Sequence, residues 1–231
     1  DSRPQCAIIA QSDPYRLAAN PGPAYREGID KAQQDGFVRI SGHTRVFMIL
    51  GDPVAQVRAP ELFNQLFDQY GIDAVLVPAH VHSNDFNAFA RQALRARNID
   101  GLWLAIPHKT AMVAALDHCD RLGRIAGAVN AARRNADGSI EGALFDGVGF
   151  IKALGHFGIP VRGRRALVVG VGGGGVAIAA SLAAQGVQHL ALFDPMPGRT
   201  AEVAGRLHAG FDVDVVAATT TDPAAFDLVV N

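Results

Sequence analysis

A glycine-rich segment in the second half of the chain sets the strongest constraint on its fold. It follows the apolar stretch 166–169 directly and precedes an alanine-rich stretch. In a strand–turn–helix unit, the first glycine of G-x-G-x-x-G allows a tight turn, the second admits a pyrophosphate, and the third lets helix and strand pack closely. The free N–H groups of the helix then bind phosphate. The segment predicts a cofactor-binding loop, with a merely tight turn as the alternative. Its glycines are Gly170, Gly172, Gly173, Gly174 and Gly175.

Asp194 follows the next apolar stretch, where such units carry an acid that binds the adenosine ribose. A carboxylate there bonds to the 2′-hydroxyl and repels a 2′-phosphate, so the sequence favours NAD over NADP. Arg199 lies close by and can accommodate a phosphate, which leaves NADP possible. The alternative is that Asp194 only begins the turn Asp194-Pro195.

Apolar stretches alternate with amphipathic segments from residue 45 onward, and this alternation predicts an α/β fold with a parallel sheet covered on both faces. The predicted strands are 46–50, 74–78, 101–106, 164–169, 189–193, 213–217 and 227–230. The predicted helices are 60–70, 84–97, 109–116, 148–157, 174–185 and 201–207. We expect an irregular N-terminal extension over 1–44, a substrate-binding α/β domain over 45–147, and a Rossmann-type nucleotide-binding domain over 148–231.

The composition excludes several classes of protein. With 49% hydrophobic and 19% charged residues, the chain resembles a soluble globular protein. A net charge of −1 favours neither nucleic acid nor an anionic membrane as a partner. No apolar run is long enough to span a membrane, and the two cysteines show neither metal spacing nor a disulfide framework. We therefore expect a cytoplasmic protein. His80-x-His82 alone is a weak metal signal, so no metal is predicted.

Three polar residues ahead of the glycine-rich loop suggest chemistry. Lys109 ends Pro-His-Lys, Asn130 ends Gly-Ala-Val-Asn, and Asp146 opens Asp-Gly-Val-Gly-Phe. A lysine can exchange a proton with a hydroxyl, and a nearby aspartate can orient it. Hydride transfer to a carbonyl needs such a proton donor. The sequence predicts Lys109 and Asp146 as a proton-handling pair beside a hydride carrier. The alternatives are a solvated surface lysine and a helix N-cap aspartate.

From about Val46 to Asn231 the chain resembles the shikimate dehydrogenase family. The segments at 107–109, 127–130 and 142–150 are similar to that family's P-H-K, G-A-V-N and G-x-N-T-D-G-x-G-F, and 51–54 is similar to its G-x-P-V. The resemblance implies two α/β domains with a cleft between them, a catalytic Lys109–Asp146 pair, and Asn130 as a ligand to substrate hydroxyls. It also implies a cyclic hydroxy acid or related polyol as substrate, a role in aromatic amino acid biosynthesis, and a monomer or homodimer.

The chain departs from the family where the family contacts the substrate. The two serines that hold the substrate carboxylate are Val57 and Ala59 here, and a substrate-binding threonine is Ala105. The Asn-Thr before the catalytic aspartate is Leu144-Phe145. Burying a carboxylate without hydrogen bonds costs on the order of several kcal/mol. We therefore expect a less polar or differently shaped substrate and weak turnover of shikimate, unless an arginine between the two altered serine positions supplies a new clamp.

The family continues past a strand that here reads Asp227-Leu228-Val229-Val230-Asn231, so the resemblance implies an incomplete nucleotide-binding domain. The leading interpretation is an NAD(P)-dependent dehydrogenase that interconverts a cyclic hydroxyl and a ketone. A quinate-type dehydrogenase is the nearest alternative. A non-catalytic ligand sensor that reuses the fold is an alternative from another class, favoured by the altered substrate positions and disfavoured by the retained proton pair.

Overall fold

A computed structural model describes residues 40–231 of the chain. The extension predicted over 1–44 therefore lies outside the described residues, except for a turn at 41–44 in which the Thr44 amide donates to the Ser41 carbonyl at 3.2 Å. Within the described part, no helix combines the length and the apolar character that crossing a membrane requires.

The first half of the described chain forms a six-stranded sheet in the order β2-β1-β3-β5-β6-β4. Its strands are β1 (Arg45–Gly51), β2 (Ala74–His80), β3 (Ile99–Leu104), β4 (His118–Cys119), β5 (Ala131–Arg134) and β6 (Ile140–Ala143). β1 pairs in parallel with β2 and β3, as the alternation predicts. β5 instead runs antiparallel to both β3 and β6, and a tight turn containing Gly138, with φ +90°, joins β5 to β6 as a hairpin.

Short helices connect these strands. They are α1 (Ala59–Gln69), α2 (Phe86–Ala93), α3 (His108–Ala111), a 3₁₀ turn (Met112–Ala115) and α4 (Arg121–Ala126). The sequence analysis missed α4, although both of its ends carry local signals. The Asp120 carboxylate accepts from the Gly123 amide at 2.9 Å as an N-cap, and Gly127 ends the helix at φ +67°.

The second half forms a four-stranded parallel sheet in the order β10-β7-β8-β9. Its elements are α5 (Asp146–His156), β7 (Arg165–Val169), α6 (Gly173–Ala184), β8 (His189–Phe193), α7 (Arg199–Gly210), β9 (Asp214–Ala217) and β10 (Leu228–Val230). Each corresponds to a predicted element. The division predicted between residues 147 and 148 falls inside α5, and residues 40–231 form one unit, so that division stays a prediction.

The largest apolar cluster joins the two halves of the described chain. It contains the buried faces of α5, α6, α7, β7 and β8, but it also contains Ala126, Ala128 and Leu144 from the first half. Because these three side chains are 0–1% exposed, the end of α4 and the segment leading into α5 pack against the second half of the described chain. This packing brings the polar residues of the first half close to the glycine-rich loop.

Candidate active site

The loop between β3 and α3 places Lys109 at the carboxyl end of the first sheet. Within this loop the Ala105 amide donates to the Leu50 carbonyl at 2.8 Å. The Ile106 carbonyl accepts from the Asp52 amide at 3.0 Å. Both bonds tie the loop to the end of β1, and they fix where α3 begins. Carboxyl ends of neighbouring parallel strands are the usual location of ligands in α/β folds.

His108, the neighbour of Lys109, is a structural residue. Its ring is 1% exposed, stacks on Phe86 at a centroid distance of 4.2 Å, and has Nε2 2.9 Å from the Val81 carbonyl oxygen. Burial lowers the pKa of His108 below its ordinary value of 6.5, although the Val81 bond opposes this shift. The imidazole therefore anchors α3 in its neutral form.

Lys109, Asn130 and Asp146 form one hydrogen-bonded group. Lys109 Nζ donates to Asp146 Oδ2, and Asn130 Nδ2 donates to Asp146 Oδ1 at 2.7 Å. The Phe145 amide donates to Asn130 Oδ1 at 2.7 Å, which turns the amide nitrogen of Asn130 toward the carboxylate. The Lys109 and Asp146 side chains are 16% and 33% exposed, so the pair is shielded but still open to a ligand.

The backbone around these residues is equally well tied. The Val129 amide donates to the Lys109 carbonyl at 2.9 Å, and the Asn130 amide donates to the Ala143 carbonyl at 3.0 Å. Asp146 is the first residue of α5, but the N-cap position belongs to Phe145 and no side chain caps the helix. The N-cap alternative for Asp146 is therefore wrong, since its carboxylate faces Lys109 and Asn130.

The glycines of the loop have three different environments. Gly170 has φ +91°, and its amide donates to the Phe193 carbonyl at 2.7 Å. A Cβ on Gly175 would lie 1.8 Å from the Gly170 oxygen, whereas a Cβ on Gly172 would meet nothing within 4 Å. These environments match a tight turn, close helix–strand packing and an open backbone. The loop therefore has the shape that a dinucleotide requires.

A cavity of about 590 Å³ connects this loop with Lys109. Its walls come from the loop before α3, the end of α4, the start of α6 and one face of α7. Besides Lys109, two further cations line it, Arg199 and Arg206, together with Glu202. The volume lies within the range of about 300–1,000 Å³ that small-molecule sites occupy.

Asp194 stabilises the backbone beside this cavity through hydrogen bonds. Its carboxylate accepts from the Val171 and Met196 amides, both at 2.9 Å, and lies 3.5 Å from Arg199 Nη1. Burial acts to raise the pKa of this carboxyl, but the two amides and Arg199 outweigh burial and lower it. The turn-forming alternative is thus realised, and ribose binding by Asp194 stays a prediction.

The altered substrate positions lie in apolar surroundings. Val57, Ala59 and Ala105 pack against a cluster formed by β1, β2 and α1, rather than joining the hydrogen-bonded group of Lys109. Arg58 is 83% exposed and pairs with Glu61 at 2.7 Å, so it is a surface residue and not a clamp over the site.

Sequence reasoning did not identify Arg206 as a residue of this region. Its Nη2 donates to the Ala126 carbonyl at 3.0 Å at the end of α4, and its Nη1 bonds to Glu202 at 2.6 Å. An arginine within a helix carries no local signal for such a contact.

Among the described residues, no group of three histidine, cysteine or acidic side chains is placed to hold a metal.

Comparisons with known proteins agree with this architecture. Residues 49–132 match the model of the shikimate dehydrogenase substrate binding domain. Shikimate dehydrogenase (NADP(+)) of Rubrobacter xylanophilus is 36% identical over 169 residues, which are 73% of this chain and 59% of the relative. Its counterpart in Geobacter metallireducens is 36% identical over 200 residues, 83% of this chain and 69% of the relative.

A solved structure is similar over both halves of the described chain. Shikimate 5-dehydrogenase from Listeria monocytogenes, in complex with shikimate and NAD, has a TM-score of 0.71 at 26% identity and covers 78% of this chain and 63% of its own.

The fold and the site together define a two-sheet α/β protein with a glycine-rich loop facing a lysine–aspartate pair. The chain belongs to the shikimate dehydrogenase family. It spans 59% of the length of the Rubrobacter relative.

Proposed function

We propose that this chain carries the catalytic pair and the nucleotide loop of an NAD(P)-dependent dehydrogenase that interconverts a cyclic hydroxyl and a ketone. The observation that carries the proposal is the group of Lys109, Asn130 and Asp146 beside the cavity that reaches Gly172. A proton-handling pair and an open phosphate loop are the two parts that hydride transfer to a carbonyl requires.

The residues present fit a dinucleotide. Gly172 leaves room for a pyrophosphate against the backbone, and the N-terminus of α6 offers unpaired N–H groups to its negative charge. When bound, the nicotinamide supplies or accepts the hydride. Arg199 and Asp194 stand beside the loop, where they would meet the adenosine end.

The protein's own residues handle the proton. Lys109 Nζ donates a proton to the substrate oxygen as it becomes an alkoxide, and takes one from the hydroxyl in the opposite direction. Asp146 stabilises the ammonium form of the lysine and holds it in place. Asn130 fixes Asp146 through Oδ1 and offers its amide to substrate hydroxyls. The low exposure of the pair limits competition from water.

We propose NAD as the preferred cofactor. The lowered pKa of Asp194 keeps its carboxylate ionised, and an ionised group at this place repels a 2′-phosphate. The relatives named NADP(+)-dependent and the cation Arg199 argue for the other cofactor. Calorimetry with NAD and NADP decides between them. Arg199→Ala is expected to weaken NADP binding and leave NAD binding unchanged, while tighter NADP than NAD binding by the unaltered chain would contradict the proposed preference.

The substrate is proposed to be less polar than shikimate. Ile106 and Phe145, which flank the catalytic pair in sequence, are apolar and 67% and 43% exposed. Val57, Ala59 and Ala105 offer no hydrogen bond to a carboxylate. A panel of shikimate, quinate and uncharged cyclic diols tests this. We expect the diols to be turned over best, and a kcat/KM for shikimate of about 10⁴ M⁻¹s⁻¹ or more would refute the proposal.

The proton pair itself is tested with Lys109→Met and Asp146→Asn. Losing a general acid is expected to lower kcat by about 10²–10⁴ while nucleotide affinity stays within a factor of about two. Lys152→Met is the matched control, since this exposed lysine of α5 lies outside the hydrogen-bonded group. Full activity of Lys109→Met would remove the lysine from the mechanism.

A ligand sensor is the second candidate function. It is favoured by the apolar side chains at the altered positions, which remove the hydrogen bonds that the family makes to its substrate. It predicts ligand or nucleotide binding without turnover of any alcohol in the panel. Turnover that depends on Lys109 would exclude it.

A further inference from the structure

The stem of Lys109 lies against the glycine-rich loop, at one glycine only. A Cβ built on Gly173 would stand 3.1 Å from Lys109 Cδ, 3.2 Å from Lys109 Cβ and 3.5 Å from Lys109 Cγ. The neighbouring Gly172 and Gly174 would meet nothing within 4 Å. The glycine at 173 is therefore not explained by a left-handed backbone or by tight packing of α6 on β7. The space that a side chain at position 173 would need is occupied by the aliphatic chain of Lys109.

This contact joins three elements through one side chain. Lys109 starts from α3, passes the first residue of α6 at Gly173, and ends at Asp146 on α5. The Val129 amide donates to the Lys109 carbonyl at 2.9 Å, so the Lys109 backbone cannot move away from Gly173 without breaking that bond. A flexible four-carbon stem has many rotamers, and a wall on one side removes those that would carry Nζ away from the carboxylate.

We infer that Gly173 is a positioning residue for Lys109. Because Gly173 has no side chain, the aliphatic chain of Lys109 fits against it, and the conformation of the phosphate loop then determines the direction in which Nζ points. The contact itself is independent of the proposed function, and only its consequence for proton transfer rests on that proposal. A pyrophosphate that orders the loop would then also order the lysine.

A double-mutant cycle in thermal unfolding tests the contact. Gly173→Ala is expected to lower Tm by about 3 °C or more with the lysine present, and by much less in a Lys109→Gly background, which also removes the Lys109 Cβ at 3.2 Å. Gly174→Ala is the matched control in the same helical turn, with no loss of Tm in either background. An equal loss in both backgrounds, or no loss at all, overturns the inference. If Gly173→Ala fails to fold in both backgrounds, the glycine is needed for another reason and the inference is wrong as well.

A second measurement reads the lysine directly. The chain has three lysines, Lys31, Lys109 and Lys152, so ¹³Cε-labelled lysine gives a spectrum simple enough to assign by substitution. Without nucleotide or substrate, Gly173→Ala should move the Lys109 resonance and leave that of Lys152 in place. Gly174→Ala should leave both in place. An unmoved Lys109 resonance in folded Gly173→Ala contradicts the inference. Neither measurement depends on turnover, so a failed dehydrogenase assay does not affect them.

Discussion

Replacing Gly147 with alanine should separate two helices of the core. Gly147 is buried in the first turn of α5, directly after Asp146. A Cβ there would stand 2.1 Å from the Ala177 carbonyl oxygen and 2.4 Å from Ser181 Oγ, both on α6. The serine hydroxyl can rotate, but the carbonyl belongs to the helix backbone and cannot. The two helices must therefore move apart by roughly 1.5 Å to restore an ordinary contact.

The expected cost follows from this overlap. Overpacking a close-packed core costs typically about 1–3 kcal/mol, and a clash with backbone belongs at the upper end. For a chain of this size, each kcal/mol lowers Tm by about 2–4 °C, so Gly147→Ala should lose about 6–12 °C. Because the adjacent Asp146 moves with α5, its hydrogen bond with Asn130 should also weaken.

Two other glycines of the same helix are matched controls. A Cβ on Gly149 or on Gly155 would meet nothing within 4 Å, and both positions are exposed. Alanine is a better helix former than glycine by about 0.8–1 kcal/mol, so these variants should raise Tm. Thermal and urea unfolding of the three variants give the comparison. A Tm for Gly147→Ala equal to that of the controls would refute the close contact between α5 and α6.

Three further outcomes are expected. The lowered pKa of Asp194 adds stability that is present above the unfolded value and lost as the pH falls through the folded value. Asp194→Asn should therefore lose less unfolding free energy than the unaltered chain between about pH 5 and pH 3, on either side of the ordinary value of 3.8. The pKa of His108 is lower in the folded chain than in the unfolded chain, so the unfolded chain binds a proton first as the pH falls below about 6.5. The free energy of unfolding in urea should therefore decrease below that pH, and His108→Phe should make this dependence on pH weaker. Arg206→Ala removes the bond to the Ala126 carbonyl, worth about 1 kcal/mol, so amides 127–130 should exchange about fivefold faster, and unchanged exchange would contradict the role of Arg206 as a tie between α4 and α7.

Local sequence signals predicted the parallel parts of the fold well. β1, β2, β3 and the second sheet follow from apolar stretches between helical segments, because strands buried on both faces must be apolar along their length. The hairpin of β5 and β6 was missed. Its strands have four residues each, and β5 reads Ala-Ala-Arg-Arg, so neither carries the alternation that marks a longer strand.

The sequence named the members of the hydrogen-bonded group, but it did not show how they come together. Lys109, Asn130 and Asp146 stand out because their short motifs resemble those of a known family, and the chain's membership in that family is confirmed. The sequence does not say that the Phe145 amide orients Asn130, or that Asp194 is occupied by two backbone amides. Such bonds join segments that are distant in the chain, and only the packed structure brings them within reach.

The local sequence was sufficient to predict the backbone shape of the glycine-rich loop. A tight turn, an open backbone and a closely packed helix each require glycine at a fixed spacing, here Gly170, Gly172 and Gly175. The tertiary structure decided what the other glycines do. The sequence placed Gly147 in a family-like motif and Gly173 in the predicted cofactor loop, yet in the structure one admits α6 against α5 and the other admits the aliphatic chain of Lys109. Steric contacts between elements depend on how those elements pack against one another in a dense core. A local sequence pattern therefore does not show which distant side chain or helix needs the space that glycine leaves free.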